Sequence, residues 1–219
     1  MGKSAIIAGA SGLTGSELVR LLLADERYDS VTAVVRSPLG IEDKKLIQKL
    51  VDFEHLEEDI KGVKADHAFC CLGTTIRKAG SKERQYRTDH DYVTGFASSA
   101  HREGVTRFAV VSSSGANSRS ANFYLRTKGE MEDDLKKIPF EGLFIMRPSL
   151  LMGQRREFRL GEMAAKGIMK VINPLLAGRL KRYRGIYASE VAGAMIRYIN
   201  SEKAGINTIE SEMIPDQHN

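Results

Sequence analysis

Short apolar runs alternate along this chain with longer stretches in which apolar residues recur every three or four positions. The runs predict strands near residues 4–8, 31–35, 50–55, 67–72, 106–111 and 142–146, with a last short strand at 207–210. The amphipathic stretches predict helices near 13–24, 83–102, 124–137, 158–170 and 189–200. Strands that alternate with helices call for right-handed crossovers, and so for an α/β fold with a doubly wound parallel sheet. Residues 108–111 (Phe-Ala-Val-Val) are apolar without alternation, as expected of a strand covered on both faces. The charged region 37–50 is expected to be irregular or partly helical. From about Pro148 onward the pattern is punctuated by Gly153, Gly161, Gly167, Pro174, Gly178 and Gly185. Residues 1–219 are thus read as one doubly wound α/β domain whose segment from about 148 forms a small C-terminal lobe. Ligands of open α/β sheets sit at the carboxyl ends of the strands, which makes that lobe the expected place for substrate recognition.

Composition narrows this picture only modestly. The chain has 219 residues, 42% hydrophobic and 28% charged, enough for one sizeable core. No apolar run approaches a membrane span, and the N-terminal residues run straight into strand and turn rather than a signal peptide, so a cytoplasmic protein is expected. Cys70 and Cys71 are adjacent, which disfavours a disulfide between them, and neither they nor the five scattered histidines show metal-ligand spacing. No metal is expected. The net charge of +5 could suit nucleic acid, but the basic residues form no long stripe; their densest cluster, 179–184, reads as a solvated loop. Neither nucleic acid nor membrane is expected as a partner, and a positive balance suits a phosphate-bearing cofactor.

The strongest local signal follows the first strand: Gly9-x-x-Gly12-x-x-Gly15, leading into a helix. Strand, glycine-rich turn and helix N-terminus together bind a dinucleotide pyrophosphate. Gly9 allows the tight turn, Gly12 the close approach of phosphate, and Gly15 the packing of helix on strand, with Ser11, Leu13 and Thr14 completing the loop. The second strand ends in Arg36, with no acid before Glu42. An acid at this point bonds the ribose 2′-hydroxyl, whereas an arginine pairs with a 2′-phosphate, so NADP(H) is favoured over NAD(H). Asp59 either accepts the adenine amino group or is an exposed loop acid.

Chemistry is suggested farther on. The fifth strand ends in Ser112-Ser113-Ser114, and Tyr124 and Lys128 follow at i and i+4 on one helix face. A lysine ammonium favours the phenolate, so a tyrosine beside it can exchange a proton with an alkoxide near neutral pH. A serine at the strand end can hydrogen-bond the carbonyl oxygen.

These residues resemble the atypical branch of the short-chain dehydrogenase/reductase family, closest to the small NAD(P)-binding oxidoreductases similar to the HIV Tat-interactive protein. The resemblance rests on the glycine loop, Arg36, Cys71-Leu72-Gly73-Thr74-Thr75, Asp89-x-Asp91-Tyr92-Val93, the 111–117 serine turn, Phe123-Tyr124-x-x-x-Lys128-Gly129-Glu130, and Arg147-Pro148-Ser149-Leu150-Leu151-x-Gly153-x-Arg155. It implies an NADP(H)-binding Rossmann domain in which Ser112, Tyr124 and Lys128 are catalytic, with Ser113 as the alternative serine. It further implies that Cys71, Leu72, Gly73 and Thr74 line the nicotinamide-ribose side, and that Lys128 can also hold that ribose. Arg147 and Pro148 would lie over the nicotinamide. The chain lacks the Asn-Asn-Ala-Gly of better-known branches, which puts an asparagine-assisted proton relay in doubt.

The leading expectation is an NADP(H)-dependent oxidoreductase acting on a small carbonyl or alcohol substrate through a Ser-Tyr-Lys site. The alternatives are a non-catalytic NADP(H) sensor acting through a protein partner, and an epimerase-like enzyme. A homodimer is possible by analogy with the superfamily.

Overall fold

The computed structural model describes residues 2–153 and 185–215. The predicted helix near 158–170, the basic cluster at 179–184, Arg155 and most of the expected C-terminal lobe lie outside these residues.

Alternation within the strands builds the domain. Strand β1 (Lys3–Ala8) turns Ala5 and Ile7 to one face, and Ile6 and Ala8 to the other. β2 (Tyr28–Val35), β4 (His67–Cys70), β5 (Arg107–Val111) and β6 (Gly142–Arg147) likewise supply apolar side chains to both faces. With β3 (Leu46–Leu50) and β9 (Gly205–Glu210) at the edges, the described strands form a parallel sheet in the order β3-β2-β1-β4-β5-β6-β9. A two-stranded ribbon pairs β7 (Leu151–Met152) with β8 (Ile186–Tyr187).

One face is covered by helix α1 (Leu13–Ala24), through Leu18, Val19 and Leu22, and by Val191, Met195 and Ile199 of the last helix (Ala188–Ile199). The other is covered by Leu56 of α2 (Leu56–Asp59), by Val93, Phe96 and Ala97 of α5 (Tyr92–Arg102), and by Met131 and Leu135 of α6 (Phe123–Leu135). The last helix is numbered α7; short helices α3 (Ile76–Ala79) and α4 (Lys82–Tyr86) lie between β4 and α5. The sheet is therefore doubly wound. The chain moves one way from β1 to β3 and the other way from β4 onward, which opens a crevice at the carboxyl ends of β1 and β4.

Two expectations need correction. The third strand occupies Leu46–Leu50, not 50–55, within a region read as irregular or helical. It is an edge strand paired with β2 from Val31↔Leu46 to Val35↔Leu50, and its exposed Ile47 and Leu50 break the buried-strand pattern. The helix read over 83–102 is α4 and α5 joined by a π-helical turn, Arg87–Asp91. Among the described residues no helix is long and apolar enough to cross a membrane.

Candidate active site

The glycine loop lies at the mouth of the crevice. Gly9 has φ of 85°, and a Cβ there would sit 2.5 Å from the Cys71 carbonyl carbon, so the turn rests directly on the strip after β4. A Cβ on Gly15 would collide with the Gly9 carbonyl oxygen; this glycine sets the distance between α1 and β1. Gly12 differs, since its nearest protein neighbour would be 3.2 Å away and the residue is exposed. Gly12 caps α1 without a side-chain hydrogen bond, and its own N–H donates to Gly9 O. The first N–H groups of the helix, from Leu13, Thr14 and Gly15, have no intrahelical acceptor, beside the exposed Ser11 and Gly12. That arrangement fits a pyrophosphate. Ser11 is exposed, Leu13 is half-buried and Thr14 is buried.

Around this loop the other predicted contacts take their places. Arg36 is exposed just past the end of β2, with no ion-pair partner among the described residues. The carboxylate of Asp59 accepts the Asp52 N–H at 2.8 Å, so one of its oxygens already holds backbone. Cys71 and Leu72 are half-buried; Cys71 N–H donates to Ala8 O, and its Sγ lies 3.9 Å from Met195 Sδ. Burial pushes the Cys70 thiol pKa up to about 12, and burial also holds that of Cys71 well above the usual thiol value.

Tyr124 and Lys128 lie in the first turns of α6, which begins at Asn122, whose side chain accepts from Leu125 N–H. The tyrosine is 36% exposed, whereas Lys128 is buried. Its ammonium forms a 2.9 Å ion pair with Asp89 Oδ1, deep beneath the surface. Asp89 also faces the Thr74 N–H at 3.3 and 3.4 Å. Gly73 passes so close that a Cβ there would be 3.2 Å from Asp89 Oδ1 and 3.8 Å from Lys128 Nζ. Burial by itself would drive the Lys128 ammonium toward losing its proton. The Asp89 carboxylate outweighs that, with Tyr124 adding to it, and the pKa is held above the ordinary lysine value.

The predicted serine has a different environment. Ser112 is buried, and its hydroxyl donates to Glu132 Oε1 at 2.6 Å. Arg147 closes on the same carboxylate through Nε at 2.9 Å and a second nitrogen at 2.6 Å. It also reaches Glu210 at 3.0 Å and the Ala116 carbonyl at 3.3 Å. The hydrogen bond with Glu132 holds the guanidinium pKa above its usual value despite partial burial. This network ties the serine turn to α6, β6 and β9. Ser113, one residue on, is half-buried, and among the described residues its hydroxyl makes a long 3.4 Å hydrogen bond to the Ser114 carbonyl. Pro148 is buried, and its carbonyl accepts from Ser114 N–H at 2.9 Å.

Asp89, Glu132 and Glu210 were not singled out for roles by the sequence reading. A signal for Glu132 exists: Lys128, Met131, Glu132 and Leu135 share one buried helix face, and two charges within an apolar stripe need partners. Asp89 has only the oddity of lying in a π-helical turn, beside a second buried polar residue, His90.

Comparison with known proteins identifies the family and the fold. The model of a family described as NAD(P)H-binding matches residues 9–167. Protein HTATIP2 of Rattus norvegicus is 39% identical over 168 residues, 75% of this chain and 69% of that protein. Protein FMP52, mitochondrial, of Debaryomyces hansenii is 34% identical over 160 residues, 70% of this chain and 69% of that protein. Among solved structures, MoeE5 in complex with UDP-glucose and NAD superposes with a TM-score of 0.69 at 17% identity, covering 94% of this chain and 75% of that one. A UDP-N-acetylglucosamine 4-epimerase from Methanobrevibacter ruminantium M1 gives 0.70 at 17% identity, covering 95% and 76%. At that identity the likeness is one of fold.

Proposed function

The chain belongs to the NAD(P)H-binding family, among the atypical short-chain dehydrogenase/reductases similar to HTATIP2, and from that premise we propose that it is an NADP(H)-dependent oxidoreductase interconverting a carbonyl compound and its alcohol. One observation carries the reading: Lys128 packs behind the Gly73–Thr74 strip that follows β4, at the carboxyl end of the sheet where the first N–H groups of α1 have no intrahelical acceptor. When bound, the cofactor supplies or accepts the hydride.

The residues of the chain do the rest. Leu13, Thr14 and Gly15 N–H groups hold the pyrophosphate, with Gly12 leaving room for it. Arg36 pairs with the 2′-phosphate, and Asp59 has an oxygen left for the adenine amino group. Cys71, Leu72, Gly73 and Thr74 line the nicotinamide ribose. The Tyr124 phenol gives its proton to the developing alkoxide, or takes one from the alcohol, and the Lys128 ammonium favours the phenolate. Of the two candidate serines, Ser113 is assigned the hydrogen bond to the carbonyl oxygen, because the Ser112 hydroxyl is already given to Glu132. Arg147 and Pro148 support the serine turn from β6. The segment from about 148 completes the substrate side, and the compartment is proposed to be the cytoplasm, although the fungal relatives are named mitochondrial. Cell fractionation checks the latter.

Fluorescence titration with NADPH and, separately, NADH tests the reading. Tight NADPH and weak NADH binding supports it; binding of neither overturns it. A panel of aldehydes, ketones and quinones then supplies a turnover assay. Tyr124→Phe is expected to bind NADPH as the wild type does and to lose roughly 10²–10⁴-fold in turnover. Ser113→Ala should lose more turnover than Ser112→Ala at equal NADPH affinity; the reverse order would return the role to Ser112.

A further inference from the structure

The buried Lys128–Asp89 pair asks for an explanation that stability does not give. Lys128 is 3% exposed and Asp89 is 1% exposed, with 2.9 Å between Nζ and Oδ1. Removing two charges from water costs about as much as their attraction returns, so an apolar pair of similar volume would serve the fold as well. The pair is nonetheless built with care. Asp89 comes from the π-helical turn Arg87–Asp91, and such turns recur at functional sites. Its neighbour His90 is occupied elsewhere, by Asp91 at 2.9 Å and Asp134 at 3.0 Å, so it does not compete for Lys128. The groups facing Lys128 are Asp89 from the π-helical turn, Tyr124 from α6 itself and the Cys70 thiol from β4. Asp89 is the carboxylate among them.

We propose that Asp89 is a positioning residue for the Tyr124–Lys128 pair: its carboxylate keeps the Lys128 ammonium charged and fixed behind the Gly73–Thr74 backbone. The proposal rests on the oxidoreductase reading above. A lysine in so dry a place without a counter-ion gives up its proton. A neutral amine would neither favour the Tyr124 phenolate nor make charge-assisted hydrogen bonds to a ribose. The contact of Asp89 with Thr74 N–H ties the charge to the strip that lines the proposed nicotinamide side. One carboxylate thereby sets two parts of the site relative to each other. Among the described residues Lys128 has no second carboxylate within ion-pair distance.

Lysine protonation can be read directly. The protein is labelled with ¹³Cε-lysine, and the Lys128 resonance is assigned by its loss in Lys128→Arg. In the wild type Lys128 should stay charged to above the ordinary lysine pKa; loss of the proton below that value overturns the proposal without any variant. In Asp89→Asn the Lys128 titration should move down by about three pH units or more. NADPH affinity of that variant should then fall along the same titration, by roughly tenfold between pH 6.5 and pH 9, while the wild-type affinity shows no such step. A purely structural staple would weaken binding or stability equally at both pH values. A Lys128 titration in Asp89→Asn that coincides with the wild type overturns the proposal. If the wild type binds neither NADPH nor NADH, the oxidoreductase reading fails, and the resonance still reports whether Asp89 governs the Lys128 charge.

Discussion

The two ends of the sheet handle buried polar groups in opposite ways. At the amino ends, Tyr28 opens β2 and His67 opens β4. The Tyr28 hydroxyl meets His67 Nδ1 at 2.7 Å, Asn200 donates to the Tyr28 oxygen at 2.8 Å, and Lys3 reaches Asn200 Oδ1 at 2.7 Å. Desolvation holds the His67 imidazole pKa down to about 4 and pushes the Tyr28 phenol above its usual value, so both are neutral at physiological pH. At the carboxyl ends the buried groups are charged, in the Lys128–Asp89 pair and around Glu132 and Arg147. A network whose buried members Tyr28 and His67 are neutral, ended by the half-buried Lys3, is an inexpensive way to satisfy polar atoms inside a fold. Charges kept out of water beside an exposed tyrosine and helix N–H groups without an intrahelical acceptor are not, and that contrast separates the end that holds the molecule together from the end proposed to do chemistry.

The contrast can be broken most severely at Lys128. Lys128→Met leaves the Asp89 carboxylate buried without a partner and should cost about 3–5 kcal/mol in urea unfolding. Lys128→Met combined with Asp89→Leu should recover most of that loss while leaving turnover abolished; a double variant no more stable than the single would mean that the pair is structural. Next in size, Arg36→Ala should weaken NADPH by tenfold or more, a magnitude of about 1.5–3 kcal/mol for a charge-assisted contact, and leave NADH nearly unchanged. Equal weakening of both would remove Arg36 from the 2′-phosphate. At the amino ends Tyr28→Phe should cost about 1–3 kcal/mol, because His67 and Asn200 each lose a partner, with NADPH affinity unchanged.

A further effect concerns pH. His67 titrates near 6.5 in the unfolded chain and at about 4 when folded, so the unfolded state takes up the proton first as the pH falls. Its contribution is complete above pH 6.5, is lost between 6.5 and 4, and changes no further below. Unfolding of the wild type and of His67→Gln at pH 7 and pH 4.5 measures this, and the variant should show the shallower decline. An equal decline in both would place the acid sensitivity elsewhere.

How much of this was legible beforehand varies by residue. The helix starting at Leu13 and the strands around it follow from local pattern, since each buries its apolar residues at its own period and the glycines mark the turn. β3 was misplaced because edge strands have one neighbour and tolerate exposed apolar residues such as Ile47 and Leu50. The π-helical turn at Arg87–Asp91 leaves no periodic trace, because one extra residue is absorbed within a single turn.

The sequence by itself determined the alternation of strands and helices, the glycine-rich turn after β1, and the i, i+4 spacing that sets Tyr124 and Lys128 on one helix face. All of these depend on residues near one another in the chain, where backbone geometry leaves little choice. Only the tertiary structure decided that Ser112 belongs to Glu132 and Arg147, and that Lys128 belongs to Asp89. Those pairings join residues 15 to 39 positions apart. Many carboxylates along the chain could have claimed each cation, and among the described residues the packed sheet brought Asp89 to Lys128, and Glu132 and Glu210 to Arg147.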